Sequence, residues 1–559
     1  MLIAAVVGVE LALPAAAWAH AVLLQTSPLG SKVLPAAPAQ ITMTYSEPIE
    51  SKFAIVSVTN AAGNLVTNGS PTTSPQDPNT LVVPLKKIPE GWYLVYWRVI
   101  SADGHPVRGA WTFAVGPNPG PAPQFVIPSI SETAATPSLV ITRWIVYLSL
   151  MAAVGLFVLR TLIARSLVRL RWVSIAWAIA LGIGIVATPI YVDLATAKFA
   201  LRSVFDLGTL IPLMRDSAFG RGYLDLELCL ILFGFAGAVA IWLDRPERGR
   251  RTPGALLALI GGLLAAGAAV LAPAVSGHAG QTSPRGVAIP VDWVHIAAGA
   301  VWIGGLIGLL VIAATLRVPG LVRTVPRFSN VALVSVIALI GAGIGNSLFH
   351  LPTLSSLWET SYGKMVLIKI GVLAVAMLVA SGNLLRNAPR LRAAERRPDL
   401  VEGAASLVKR LVSVEVVLVV GIIFCAALLT SLAPPSQALA QVGKAKATVG
   451  PGAVTRSVEE NGYKVELQIA PNRAAVENDF SIKLTKDGQP VRGARVTTGF
   501  TMLDMEMGTQ SYTFKETAPG VYSRSSPALV MVGRWGVGLT IEPQGGKPFT
   551  VLFVDRAGG

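Results

Sequence analysis

The chain is short of charge, cysteine and histidine. Only 14% of its 559 residues are charged, against about 25% in an ordinary soluble protein. With 52% apolar residues and a mean hydropathy of +0.59, that shortage excludes a disordered chain and a purely soluble enzyme. Two cysteines make no disulfide framework. The sequence also lacks a nucleophile elbow, a phosphate loop, an HExxH pair and a nucleotide fingerprint. No catalytic constellation is in view, and the chain is not expected to be an enzyme. Five histidines are few enough to follow one by one.

What is present falls into blocks. Residues 1–19 are nearly all apolar and end in Ala17-Trp18-Ala19, a secretory-signal pattern that predicts cleavage before His20. The basic start of such a signal is missing, and Glu10 interrupts the run. Residues 20–116 alternate apolar and polar side chains, as in Ile41-Thr42-Met43-Thr44-Tyr45, with turn residues between the runs. That pattern predicts a small all-β sandwich. Pro117, Pro119, Pro121, Pro123, Pro128 and Pro137 stiffen a linker over 117–137. Residues 138–432 hold eight apolar stretches, near 139–159, 172–192, 224–243, 254–274, 292–315, 328–350, 364–385 and 411–431. Each has about the 20 residues a spanning helix needs. After a Pro/Ala/Gln linker at 433–449, alternation returns over 450–559, with turn signals Asp487-Gly488 and Pro519-Gly520. A second all-β sandwich is expected there.

The net charge of +15 admits nucleic acid or membrane as its cause, and the position of the basic residues separates the two. Eighteen lie in the connections after the first, third, fifth and seventh stretches, from Arg160 to Arg410. The opposite connections hold six: Lys198, Arg202, Arg215, Arg221, Arg285 and Lys364. The positive-inside rule then places the first set in the cytoplasm and both β-domains outside a cytoplasmic membrane. Lipid, not nucleic acid, is the expected partner.

On this topology all five histidines lie outside or near the outer end of a span: His20, His105, His278, His295 and His350. If cleavage exposes His20, that residue offers an amine and an imidazole nitrogen together. Asp103-Gly104-His105 adds a carboxylate and a second imidazole. Nitrogen donors with a carboxylate in a tetragonal plane suit Cu(II). In the fifth stretch Asp292, His295, Gly299 and Trp302 share one helix face, which is expected to turn toward the bundle interior. Gly304-Gly305 permit close helix approach. Asn346 and His350 are one turn apart on the sixth stretch, suited equally to holding a metal or to interhelical hydrogen bonding. Asp225, Glu227 and Lys369 lie in outer halves, and a structural carboxylate–ammonium pair is expected among them. Glu415 is expected to reach the inner interface. Cys229 and Cys425 read as small buried hydrophobes or, less often, as Cu(I) ligands. Met502, Met505, Met507 and Met531 offer soft thioethers for Cu(I), or a methionine-rich core.

These residues carry a resemblance. The start "HAVLLQTSPLGSKVLPAAP" with "YSEPIE" and "SADGHPVRGAWTFAV" resembles the CopC copper-binding domain. The resemblance implies a Cu(II) site of His20, Asp103 and His105; with Met43 the only methionine there, a second, methionine-rich site is not expected. "SGHAG", "DWVHIAAGAVWIGGL" and "SYGKMVLIKIGVLAV" resemble the CopD membrane protein, and Gly488 through Trp535 resembles YtkA-like domains. Together they imply copper as the ion handled: captured as Cu(II) outside, passed to an outer mouth at His278, His295 and His350, and imported. A copper chaperone or reductant outside the cell is an expected partner. Two alternatives stay open: sequestration without transport, and an external copper-dependent redox enzyme.

Overall fold

Strict alternation builds the first domain. In this computed structural model the described residues are 23–28, 33–45, 49, 51–100, 106–119, 136–165, 167, 170–200, 203–216, 218–245, 247, 249–282, 284–351, 353–393, 401–432, 445–474, 476–503, 510–526, 528–530 and 532–558. One four-stranded sheet contains β1 (Leu23–Ser27), β3 (Gln40–Tyr45), β6 (Thr80–Pro84) and β5 (Thr72–Thr73), in that spatial order. The other contains β2 (Val33–Leu34), β8 (Pro106–Val115), β7 (Gly91–Ile100) and β4 (Ile55–Asn60). On β3 the odd residues Ile41, Met43 and Tyr45 are fully buried, while the even ones are partly exposed. They meet Val95, Trp97 and Phe113 of the facing sheet in one core. Removing each such side chain from water is worth roughly 1.5–3 kcal/mol. Tyr45 packs edge-on against Trp97, with ring centroids 5.6 Å apart. Met43 is thus a core residue. The expected sandwich is present.

The C-terminal domain adds a feature to the same plan. Its strands are β9 (Ala447–Val449), β10 (Val454–Glu460), β11 (Tyr463–Ala470), β12 (Asn478–Lys486), β13 (Gln489–Pro490), β14 (Arg495–Met502), β15 (Gln510–Ala518), β16 (Val521–Ser526), β17 (Gly533–Glu542) and β18 (Phe549–Ala557). They form one continuous sheet in the order β10-β11-β12-β16-β15-β14-β17-β18-β9, with β13 beside β12. The first half of β15 pairs with β14 and its second half with β16. The sheet therefore folds over at β15, and both halves bury side chains in one core, Phe480 and Ile482 from one half and Phe500 and Val537 from the other. The Asp487-Gly488 turn has positive φ at both residues, 51° and 77°, the geometry that favours this pair in two-residue hairpins.

Between these domains in sequence, eight helices among the described residues are long and apolar enough to cross a membrane: Pro137–Ile163, Arg171–Lys198, Phe219–Leu243, Pro253–Ser276, Arg285–Thr315, Val318–His350, Ser361–Arg392 and Val401–Leu429. Their starts follow from local chemistry. Thr252 accepts a hydrogen bond from the Ala255 amide at 3.3 Å, with Pro253 in the first turn. Thr360 does the same for Gly363 at 2.9 Å. The first and fifth spans are the most enclosed, 67% and 56% buried, which makes them the axis of the bundle. They touch backbone to backbone: a Cβ on Gly304 would lie 2.4 Å from the Cα of Gly155. Gly305 faces the Phe328 ring of the sixth span with as little room. The expected role of Gly304-Gly305 is thus met by two different neighbours.

Candidate metal path

Three spans converge at the histidine end of the bundle. Asp292 and His295, one turn apart, lie on the fifth; Asn346 and His350, also one turn apart, lie on the sixth; Lys369 lies on the seventh. The Asn346 side-chain amide donates to Asp292 Oδ1 at 2.9 Å. Its own Oδ1 is buried and has no hydrogen-bond partner among the described residues. His295 Nδ1 is 3.0 Å from the Leu339 carbonyl on the sixth span. A carbonyl only accepts, so the ring hydrogen sits on Nδ1 and Nε2 keeps its lone pair. That lone pair points at the Lys369 ammonium, 3.3 Å away. His350 repeats the pattern: Nδ1 lies 2.7 Å from the Asn346 carbonyl, and Nε2 lies 3.4 Å from the Thr282 hydroxyl. Gly343 makes room, since a Cβ there would lie 3.3 Å from His295 Cε1.

The arrangement offers a cation one carboxylate, one orphaned amide oxygen and two imidazole lone pairs. Among the described residues no three His, Cys, Asp or Glu side chains gather around one point. The donors form successive stations along two helices, not a closed cage. The Lys369 ammonium already sits against His295 Nε2 as a built-in cation, and it must swing aside for a metal to reach that nitrogen.

The remaining expected residues divide as follows. His20, Asp103 and His105 lie outside the described residues, as do Met505, Met507 and Met531. The strands that flank residues 101–105 in sequence, β7 and β8, pair in unbroken register from Gly91↔Val115 to Ile100↔Pro106. His278 opens a short helical turn, His278–Gln281, before the fifth span; its side chain lies outside the described residues. Met502, at the end of β14, is 2% exposed and packs in the C-terminal core. Cys229 and Cys425 are free thiols. Lys369 meets the fifth span at His295, one turn from Asp292, and Glu227 Oε2 is buried with no hydrogen-bond partner among the described residues, so the expected pairing of Lys369 with Glu227 is not what the bundle forms. Glu415 is 2% exposed and accepts a hydrogen bond from Asn383 at 2.6 Å, so it is enclosed rather than extended to the interface.

Two buried arginine networks were missed from the sequence. Arg143 donates to Thr430 Oγ1 and Ser431 Oγ, both at 2.9 Å, and to the Tyr191 hydroxyl. It joins the first, second and eighth spans at the histidine end. At the other end Asp244 receives Arg165 at 3.0 Å, Arg251 at 3.2 Å and Arg160 at 3.5 Å. A lone arginine inside an apolar run, and one aspartate beside a basic run, were the available signals.

Comparison with known proteins adds the following. The CopC domain family matches residues 23–116, the Copper resistance protein D family residues 322–429, and the YtkA-like family residues 457–540. The chain is 26% identical over 539 residues to Copper transport protein CutJ of Bacillus subtilis (strain 168), across 94% of this chain and 93% of that protein. Residues of the first domain are 35% identical over 99 positions to Protein YobA of Escherichia coli (strain K12), covering 18% of this chain and 80% of the relative. The crystal structure of CopC from Methylosinus trichosporium OB3b is 26% identical, covering 18% of this chain and 99% of its own, with a TM-score of 0.17.

Proposed function

The chain belongs to the CopC and CopD family of copper transport and resistance proteins, and from that premise we propose that it imports copper across the cytoplasmic membrane. Both β-domains face outward in this reading, supported by the eighteen basic residues in the connections at the opposite end of the bundle. The N-terminal domain captures Cu(II) on the His20 amine and ring, Asp103 and His105, and delivers it to the histidine end near His278. The observation that carries the proposal is the linking of Asp292 to Asn346 and of Asn346 to His350 across two spans, with the Lys369 ammonium of a third span against His295. A protein that only stored copper would need no donors inside the bundle, where polar groups are expensive. Successive open stations favour release as well as capture, which a closed cage does not. Reduction to Cu(I) by an external partner precedes crossing, and the C-terminal methionines hold the reduced ion. Fusion makes each hand-over intramolecular, at effective concentrations up to about millimolar.

The test is copper accumulation in cells expressing the wild type or His295→Ala at matched membrane levels. Import predicts a loss of uptake in the variant. Equal accumulation would refute the route through His295. An extra residue placed ahead of His20 is expected to weaken Cu(II) binding, because the amine donor is displaced.

A further inference from the structure

The sixth and seventh spans are the least enclosed of the eight, 11% and 6% buried. With the fifth and eighth they border a cavity of about 210 Å³. Its lining is mostly apolar and comes from all four: Trp302, Phe328 and Leu333, Met377, and Val412. Its one acid, Glu415, is engaged by the Asn383 amide at 2.6 Å. An apolar cavity of about 150 Å³ stays dry and holds a guest the size of benzene, so this one has room for a longer hydrocarbon segment. Ser329 and Asn383 line it about three turns from the arginine-rich ends of their spans, and Val336 and Met377 about two turns deeper. The polar part of the lining is thus nearer the membrane surface, and the deeper part is hydrocarbon-like.

The cavity opens sideways. Leu333 lines it and is also 45% exposed, and its neighbours on the two spans, Val334 and Leu378, are 67% and 72% exposed. At the arginine-rich end the two spans are tied together. Arg392, the last residue of the seventh, donates through Nη2 to the Pro326 carbonyl at 3.3 Å and to Asn330 Oδ1 at 3.2 Å, both on the sixth. Among the described residues no hydrogen bond uses its Nε or Nη1, and the side chain is exposed. Arg327 lies one turn from Asn330 and is exposed too. Where the sixth, seventh and eighth spans end, six basic side chains are exposed (Arg323, Arg327, Arg386, Arg392, Lys409 and Arg410) against one acid, Glu402, among the described residues. A chain-sized apolar cavity beside a basic rim has the chemistry of a lipid with an anionic headgroup.

We propose that this cavity binds an anionic phospholipid of the leaflet at the arginine-rich end. One acyl chain enters between the sixth and seventh spans and reaches Trp302, and the phosphate rests on the Arg392 guanidinium, with Arg327 adding charge. Arginine suits the role because its planar fork meets phosphate oxygens two at a time. The lipid completes the packing of the two spans that the rest of the bundle covers least, those carrying His350 and Lys369 at their far ends. The binding holds whichever way copper moves.

Trp302 supplies the probe. It is 2% exposed yet lines the cavity, so a bromine on an acyl chain, which quenches tryptophan only at short range, reaches it only from inside. Full-length protein is reconstituted in vesicles of phosphatidylglycerol and phosphatidylcholine, with the bromines on one lipid or the other. The Trp302 share of the fluorescence is the difference between wild type and Trp302→Phe. Brominated phosphatidylglycerol is expected to quench that share at lower mole fraction than brominated phosphatidylcholine. Arg392→Gln should reduce the preference about fivefold, the effect of about one basic residue at a lipid surface. Arg250→Gln, exposed at the same end on the connection between the third and fourth spans, should leave it unchanged. An unquenched Trp302 would overturn the proposal and leave the cavity to a partner helix or a second copy of the chain. Equal quenching by the two lipids, or a preference that survives Arg392→Gln, would overturn the headgroup site. Should Trp302→Phe not fold, native mass spectrometry decides: wild type keeps phosphatidylglycerol through delipidation and Arg392→Gln does not, and equal retention by the two refutes the site.

Discussion

Gly304→Ala adds one methyl group where two helices have no space for it. Its Cβ would lie 2.4 Å from Gly155 Cα and 2.6 Å from the Gly155 carbonyl carbon and the Leu156 nitrogen. These are backbone atoms and cannot rotate away. Ordinary carbon contacts need about 3.5 Å, so the first and fifth spans must separate by about 1 Å locally. A gap of that size forfeits about a quarter to a half of each dispersion contact it opens. The contacts at risk include Gly308 against Leu159 and Gly299 against Met151 on the same helix pair. Together with overpacking strain the loss is of order 3 kcal/mol. Gly155→Ala meets the Ala300 carbonyl oxygen across the same contact and is expected to cost a similar amount. The double variant should cost less than the two together, because the first substitution has already opened the gap. Gly261→Ala is the control: its Cβ meets nothing within 4 Å, and helix propensity alone predicts a gain of up to about 1 kcal/mol. Unfolding in mixed detergent micelles, followed by helicity, reads all four proteins. The fifth span carries His295, so copper uptake is expected to fall with stability. If Gly304→Ala unfolds together with Gly261→Ala, the backbone contact is not what holds the bundle's axis, and the reasoning fails.

Other expectations concern two groups away from the candidate metal path. Burial raises the Asp555 carboxyl in the C-terminal domain to about 6, opposed in part by the Asn472 amide and the Arg556 backbone N–H, against about 3.9 in an unfolded chain. The folded domain therefore binds the proton more tightly. The stability this contributes is complete below about pH 4 and is lost as pH rises through about 6, a swing of order 3 kcal/mol. Pulse proteolysis of the domain in urea should show that slope in the wild type and a flat profile, with higher stability at neutral pH, in Asp555→Asn. An unchanged slope in the variant would exclude Asp555 as its source. Asp244→Asn leaves Arg160, Arg165 and Arg251 without their shared carboxylate. A loss of about 3–5 kcal/mol is expected in the same micelle assay, and a neutral result would show that water or lipid already satisfies the three guanidiniums.

Domain order and the eight spans were legible because each rests on a short-range pattern, alternation or a long apolar run. Helix ends were less so. The fifth span begins at Arg285 and the sixth at Val318, earlier than the apolar runs imply, because helical geometry extends into polar residues beyond the hydrocarbon length. Partners across the bundle were legible only in part. Sequence position gives the depth of Lys369, Asp225 and Asp292 alike, but not which spans are neighbours, and the lysine meets the fifth span at His295, one turn from Asp292. Glu415 was misjudged for a related reason: depth is readable, but rotation about the helix axis is set by what the other side of the helix must bury. The π-helical turn that aims Asn383 at it leaves no mark in hydropathy. The continuity of the C-terminal sheet through β15 was hidden likewise, since alternation reports a strand's faces and not its two neighbours.

The Asp244 cluster has a consequence in the electric field of a living cell. Three guanidiniums around one carboxylate give this cluster two more positive charges than negative where the first, third and fourth spans meet. With that end in the cytoplasm, a negative interior holds it in place. Drawing the cluster outward would cost about 2.3 kcal/mol per charge for each 100 mV, or nearly 5 kcal/mol for the pair. Under the proposed orientation and import, the resting potential is a clamp on that end of the bundle, and movement is left to the spans that carry His295 and Lys369.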